Sequence, residues 1–246
     1  MGVTVTLLGT GDAFGTGGRL QTCFLVEHDA GRLLVDCGPS ALLALRRAGG
    51  EPNDLDAVVL SHFHGDHIGG LPFLVLDAHY ASRRDRPLVI AGPAGTAARL
   101  ETLFEAMFPG SWAGGWRFDL RVHELEPGRG DAVAGVRVIP AEVRHPSGAP
   151  PLGLRLEVDG RVFAFSGDTE WVPALAELAR GADLLVTECY GWEPGVRFHL
   201  DHATLVDHRE ELTAARIVLT HLGSGAYERR DELLFEVGED GLVIEL

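Results

Sequence analysis

Basic residues are scarce in this chain: 21 stand against 36 acidic ones, for a formal net charge of −15 over 246 residues. A protein that grips nucleic acid mainly through its phosphates normally shows a basic face. Here the arginine groups around Arg46, Arg84 and Arg229 are short. Nucleic acid is therefore disfavoured as a partner and left open only through a local basic patch. Cysteine is scarcer still. Cys23, Cys37 and Cys189 share no CxxC spacing, which excludes a disulfide framework and a zinc ribbon and leaves them as small buried hydrophobes. Long apolar runs are missing too. The stretches 57–60 and 71–76 fall far short of the roughly 20 residues a membrane span needs. The opening MGVTVTLLGTGDAFG has no basic segment followed by an apolar run, unlike a signal peptide. The expectation is a cytoplasmic protein with no membrane partner.

What is present reads as an ordinary globular chain, 46% hydrophobic and 23% charged. No linker or low-complexity segment divides it, so a single domain over 1–246 is expected. Alternating apolar residues predict strands at 3–8, 22–27, 32–36, 57–60, 88–91, 118–124, 136–140, 152–158, 162–166, 182–188, 217–220 and 242–246. Helices are expected at 41–48, 71–82, 94–108, 173–179 and 202–215, with a short one near 231–235. Strands in runs with helices interspersed, and two halves of similar content, predict an α/β fold: two sheets packed together with helices outside, an αββα sandwich.

Gly9-Thr10-Gly11-Asp12-Ala13-Phe14-Gly15 follows a strand and invites a dinucleotide-binding reading. Phe14 stands where the third glycine belongs, and a β-hairpin rather than a helix follows. The segment is better read as a turn passing close to a site.

The chemistry is concentrated in Ser61-His62-Phe63-His64-Gly65-Asp66-His67. Neutral imidazole is the commonest transition-metal ligand, and a carboxylate can bind metal and also accept a proton. In an extended stretch His62 and His64 point the same way, and Gly65 then permits a turn that redirects Asp66 and His67. Four donors so close in sequence cannot readily enclose one tetrahedral ion, so further ligands must come from elsewhere.

This HxHxDH motif, within LSHFHGDHIGGLP, resembles the metallo-β-lactamase superfamily along the whole chain. The resemblance implies three more ligands, each after a strand: His145 in AEVRHPSG, Asp168 in FAFSGDTEW and His221 in IVLTHLGSG. One divalent metal would be held by His62, His64 and His145, a second by Asp66, His67 and His221, with Asp168 bridging them. Zinc is the first expectation, and manganese, iron or nickel also suit the ligands. Two such ions about 3.5–4 Å apart can share a hydroxide near neutral pH. His28, His79, His123, His199 and His208 match no motif and are expected on the surface or bonded locally.

The LLGTGDAFG, FSGDT and DHATL segments are similar to the branch holding tRNA 3′-processing endonucleases and small phosphodiesterases. That similarity implies proton-transfer roles for Glu188 in LVTECYG and His202 in HLDHATL, with Asp66 orienting the hydroxide. The other reading of this pair is a strand-end carboxylate and a helix-terminal polar residue, with Asp201 or Thr204 capping the helix. One departure is that residues 146–167 hold only a hairpin and leave no room for the branch's long tRNA-binding arm. The expectation is hydrolysis of a small phosphodiester. The alternatives are a carbonyl hydrolase acting on a lactone, thioester or β-lactam, and a tRNA 3′-processing endonuclease. A binding-only member or an iron oxidase is set aside because every ligand position is filled. A homodimer is compatible with this reading.

Overall fold

The computed structural model describes residues 2–246. Strands β1 (Thr4–Gly9), β2 (Cys23–His28) and β3 (Gly31–Val35) lead to helix α1 (Ala41–Arg47) and strand β4 (Ala57–Val59). Short helices α2 (Gly65–Ile68) and α3 (Leu71–Leu76) follow, then β5 (Leu88–Gly92), α4 (Thr96–Met107) and β6 (Leu120–Glu124). The second half begins with β7 (Asp131–Val133), β8 (Val136–Glu142), β9 (Leu152–Val158) and β10 (Arg161–Phe165). It continues with α5 (Ala174–Ala179), β11 (Leu184–Glu188), α6 (His202–Asp207), β12 (Arg216–Thr220), α7 (Ser224–Glu228), β13 (Glu236–Val237) and β14 (Leu242–Glu245).

The strands form two seven-stranded sheets, ordered β14-β1-β2-β3-β4-β5-β6 and β13-β12-β11-β10-β9-β8-β7. Each is antiparallel where short hairpins join its strands. From β3 to β6 and from β10 to β13 the pairing is parallel, and parallel neighbours need crossovers, which the helices supply. The inner faces share one apolar layer, in which Phe24 of the first sheet meets Phe163 and Phe165 of the second edge to face at 6.3 and 5.0 Å. Outside the first sheet, Leu34, Val58 and Ile90 pack against Leu45, Leu71, Leu74, Leu100 and Phe104 of the helices. Outside the second, Ala164, Leu185 and Leu219 pack against Leu175, Leu178, Leu205 and Ala226. These layers are the expected αββα sandwich. Because strand side chains alternate, residues of one strand serve both the inner and an outer layer, which is why β4 reads as an apolar run and β11 is buried along its whole length.

Several boundaries differ from the sequence reading. The helix expected at 71–82 is α up to Leu76 and then a π-type turn at Asp77–Ala81. The helix expected at 202–215 stops at Asp207. Leu205 is its one buried residue, and His208 and Arg209 offer no apolar face one turn on, so packing cannot extend it. His208 instead stacks on Trp171 at 3.9 Å. The helix expected near 231–235 is a single 3₁₀ turn, Arg230–Glu232. Strands β7 and β13 and helix α7 are too short to show a period and were not expected. Among the described residues no helix is long and apolar enough to cross a membrane.

Candidate metal centre

The sandwich brings the chemistry-bearing loops to one edge. His62 follows β4 of the first sheet, while Asp168 follows β10, Glu188 ends β11 and His221 follows β12, three parallel strands leaving the second sheet in the same sense. Strand β8 runs alongside β10 in direction because β9 reverses between them, so His145 emerges at the same edge. Backbone turns aim the donors. Gly167 holds φ at +60°, and a Cβ there would lie 2.7 Å from the Leu152 carbonyl oxygen, so only glycine lets Asp168 take its place. His221 and Asp36 carry the same left-handed conformation without that freedom, at φ of 56° and 57°. Such strain persists only where the surroundings over-determine it.

Among the described residues, four groups of donors have their ligand atoms within 4.8 Å of one another: His145, Asp168 and His199; Glu188, His199 and His221; and the two that match the expected ligands, His62, His64 and His145, and Asp66, His67, Asp168 and His221. Asp168 lies between these last two. Its Oδ2 is 3.8 Å from the Nε2 atoms of His62 and His145 and 3.4 Å from His221 Nε2, while its Oδ1 is 3.4 Å from His67 Nε2. Asp66 Oδ2 is 3.2 Å from His221 Nε2 and 3.5 Å from His67 Nε2.

The electrostatics suit cations. Burial, reinforced by neighbouring imidazoles, holds His62 well below the usual histidine range, and burial likewise lowers His64 and His145, so these rings are neutral with a lone pair to offer. Burial alone would lower His67 and His221, but the charge of Asp168, with Asp36 and Asp66, overrides it and raises both. Burial would raise Asp66 and Asp168, yet contacts with His221 and His67 keep both carboxylates below their ordinary range. His62 Nε2, His67 Nε2 and Asp168 Oδ1 are buried with no hydrogen-bond partner. An unsatisfied buried polar atom costs about 1–3 kcal/mol. Divalent cations coordinated by these atoms would remove that cost, so the donor set fits two metal ions.

The supporting residues were missed by the sequence reading. Asp36 Oδ2 accepts from His67 Nδ1 at 2.7 Å and from Ser61 Oγ at 2.7 Å, and its Oδ1 accepts from Ser61 N at 2.7 Å. Ser61 Oγ lies 3.0 Å from His62 Nδ1. His145 Nδ1 donates to the Phe198 carbonyl at 2.9 Å. Each bond fixes the far side of a ring so that its other nitrogen faces the centre. Nothing in the sequence singled out Asp36 except its place at the end of a buried strand.

The residues read as a proton-transfer pair are separated. Glu188 is buried, and burial together with the Asp168 charge raises it well above the carboxylate range. Its partner is His199, not His202: His199 Nδ1 is 2.9 Å from Glu188 Oε2, while Thr169 N donates to Oε1. The His199 ring stacks on His221 at 5.7 Å and 10° and meets His145 at 4.8 Å. His199 was expected on the surface or bonded locally; it instead reaches Glu188, 11 residues back, and packs on two ligand histidines. His202 is the first residue of α6, accepts from Leu234 N at 3.0 Å and leans on Trp192. Asp201, accepting from Thr204 N at 2.9 Å, is the cap of α6, as one of the alternatives had it. His199, two residues before the cap, thus lies in the loop ahead of α6. Glu188 was implied by the resemblance, whereas His199 was hidden by a second histidine three residues later.

The family described as "Beta-lactamase superfamily domain" matches residues 31–222. The chain belongs to this superfamily, as a hydrolase of the metallo-β-lactamase fold. It is 27% identical over 275 residues to ribonuclease Z of Methanosarcina acetivorans, an alignment covering 89% of this chain and 87% of that protein. A diphosphatase from the PhnP family shares the fold at a TM-score of 0.78 with 22% identity, over 99% of this chain and 98% of that one. The short form of human tRNase Z does so at 0.78 with 23% identity, over 98% of both. At such identities the two superpositions speak for the fold alone.

Proposed function

We propose that the chain hydrolyses a small phosphodiester at this centre, with zinc the first expectation for the metals. His62, His64 and His145 would hold one ion, Asp66, His67 and His221 the other, and Asp168 both. Bound there, the ions supply Lewis acidity toward phosphoryl oxygens and lower the pKa of water. Asp66, partly exposed beside His67 and His221, accepts a hydrogen bond from the attacking water and so orients it. Glu188, fully buried, fixes the His199 ring, whose free nitrogen donates a proton to the leaving oxygen.

The observation carrying this reading is the Glu188–His199 pair set against His221 and His145. A proton donor at the edge of a metal centre serves a basic alkoxide leaving group and is of no use to a thiolate, which favours esters of phosphorus over thioesters. The ribonuclease Z relative points to phosphorus rather than to carbonyl carbon.

His199→Ala is expected to slow hydrolysis of a diester with an alkoxide leaving group by about 10²–10⁴-fold, the usual range for acid–base assistance. On bis-(p-nitrophenyl) phosphate, whose leaving group needs no proton, the loss shrinks, and metal content stays unchanged. His202→Ala leaves both rates close to wild type. A larger loss in His202→Ala than in His199→Ala would overturn the assignment. Turnover of lactones or thioesters with none of any diester would hand the site to carbonyl chemistry.

A further inference from the structure

The chain contains no lysine, so every fixed side-chain cation is one of its 21 arginines. In a molecule of net charge −15 most of these are held by carboxylates. Arg32 pairs with Glu27 and Asp54, Arg161 with Asp183 and Arg216 with Glu236. Arg144, next to the ligand His145, is held by Glu170 at 3.1 Å. Two arginines beside the same ligand are not held. Among the described residues neither Arg99 nor Arg197 has a carboxylate or hydrogen-bond partner, and each only leans on an aromatic ring.

Arg99, on helix α4, reaches the loop that follows His145, and Arg197 adjoins the residue whose carbonyl holds His145. Arg99, half-buried in the first turn of α4, sits with its Cζ 5.4 Å from the ring of Phe63, the residue between ligands His62 and His64. A Cβ at Gly148, three residues past His145, would lie 2.7 Å from the Arg99 Nη2 atom, so the loop after the ligand keeps a glycine where the guanidinium needs room. Gly148 also holds φ at +83°. On the other side, Arg197 has its Cζ 4.7 Å from the Phe198 ring. Phe198 takes a left-handed φ of 67° and supplies the carbonyl that holds His145.

Helix stability does not account for Arg99. A cation in the first turn opposes the helix dipole, and that turn of α4 has no acidic residue to offset it. We propose that Arg99 and Arg197 form an anion subsite that binds a second phosphate of the substrate, a monoester group separate from the scissile diester. The inference rests on the phosphodiesterase reading for the identity of the scissile group. Planar guanidinium forks match a phosphate monoester dianion in charge and geometry, and both are free to do so. The substrate class is then a phosphodiester that carries a terminal phosphate, such as a phosphorylated nucleotide ester, and not a simple diester.

Two esters with the same scissile bond test this on the metal-loaded protein: thymidine 5′-(p-nitrophenyl phosphate) and the same compound bearing a 3′-phosphate. The wild type should favour the phosphorylated ester at least about 10-fold in KM, and Arg99→Gln and Arg197→Gln should each cut that preference to about 3-fold or less while leaving the parent ester nearly unaffected. Calorimetric Kd values for thymidine 3′,5′-bisphosphate and thymidine 5′-monophosphate give a readout free of turnover and should show the same preference and the same loss. Arg197 is exposed, so its substitution cannot act through misfolding. Equal KM and equal Kd for both members of each pair, or a preference retained in both variants, overturns the subsite while leaving the phosphodiesterase reading intact. If neither ester is cleaved but the bisphosphate still binds more tightly to the wild type alone, the subsite stands and the phosphodiesterase reading falls.

Discussion

Replacing Asp36 by Asn removes one charge and one acceptor from a buried site that touches no substrate, yet it should weaken both metal sites. Asn tolerates the left-handed backbone at this position, so the fold has no conformational reason to fail. Its oxygen can stay on Ser61 N, where Oδ1 now accepts at 2.7 Å. The NH₂ group then takes the place of Oδ2 and faces Ser61 Oγ and His67 Nδ1, both of which donate to Asp36 at 2.7 Å. His67 must lose its Nδ1 proton, which forces the proton onto Nε2, the atom facing Asp66 and Asp168. Ser61 Oγ turns to accept from the amide, and its own proton then points at His62 Nδ1, 3.0 Å away, pushing that ring toward the wrong tautomer too. Loss of an outer-shell partner of this kind typically costs 10–100-fold in metal affinity, or about 1.4–2.7 kcal/mol. Because two ligands on different ions are turned, both affinities should fall, the His67 ion more. Competition with a chromophoric chelator measures the two constants, and thermal melting of the metal-free variant checks that it remains folded. Wild-type affinity at both sites in a folded Asp36→Asn protein would refute the tautomer argument.

Three other outcomes follow from the same structure. In metal-free protein His67, His221 and Glu188 all have raised folded pKa values. A raised group contributes stability that is present below its unfolded pKa and lost as pH rises through the folded one. The lowered histidines are already neutral in both states above about pH 6.5, so they add nothing there. The chelated protein should therefore melt at falling temperature from about pH 7 to 8.5, and a flat or rising curve would sink the argument. Arg84 is 1% exposed and donates to the carbonyls of Pro52, Asn53, Leu55, Arg86 and Pro87. Arg84→Met strands these acceptors and should cost about 3 kcal/mol, a fall in Tm of about 6–12 °C. A shift under about 2 °C would show that water replaces the guanidinium. Finally, with only the β9–β10 hairpin between His145 and Asp168 and a net charge of −15, kcat/KM on precursor tRNA should be far below that on bis-(p-nitrophenyl) phosphate, most clearly at low salt. Tight, salt-sensitive tRNA binding with accurate 3′ cleavage would reverse that reading.

What the sequence disclosed, and what it hid, follow from how far apart cause and effect lie along the chain. His62, His64, Asp66 and His67 are legible because one strand end and one turn place all four, so their spacing alone carries the geometry. The strand alternation that builds the shared core is equally local, and it made the two-sheet architecture readable without any contact being known. His145, Asp168 and His221 were implied by the family resemblance, each after an apolar strand, although no local rule says that three such strands end at one edge. That convergence comes from the parallel order β10-β11-β12 and the reversal at β9. Asp36 was invisible for the opposite reason. Its partners Ser61 and His67 are distant in sequence, and an aspartate closing a strand looks the same whether it orients a ligand or meets solvent. The error at His199 is the most instructive. It lies three positions before His202, and the helix boundary decides between them. The cap is Asp201, so His202 is committed to the helix and bonds Leu234 N, while His199 stays in the loop that crosses the metal centre. Asp201→Ala would test whether this single cap sets the division. It should cost about 1 kcal/mol of stability, and by loosening the start of α6 it should lower turnover of alkoxide diesters more than of p-nitrophenyl ones. An equal fall for both would mean that the cap holds the helix but not the position of His199.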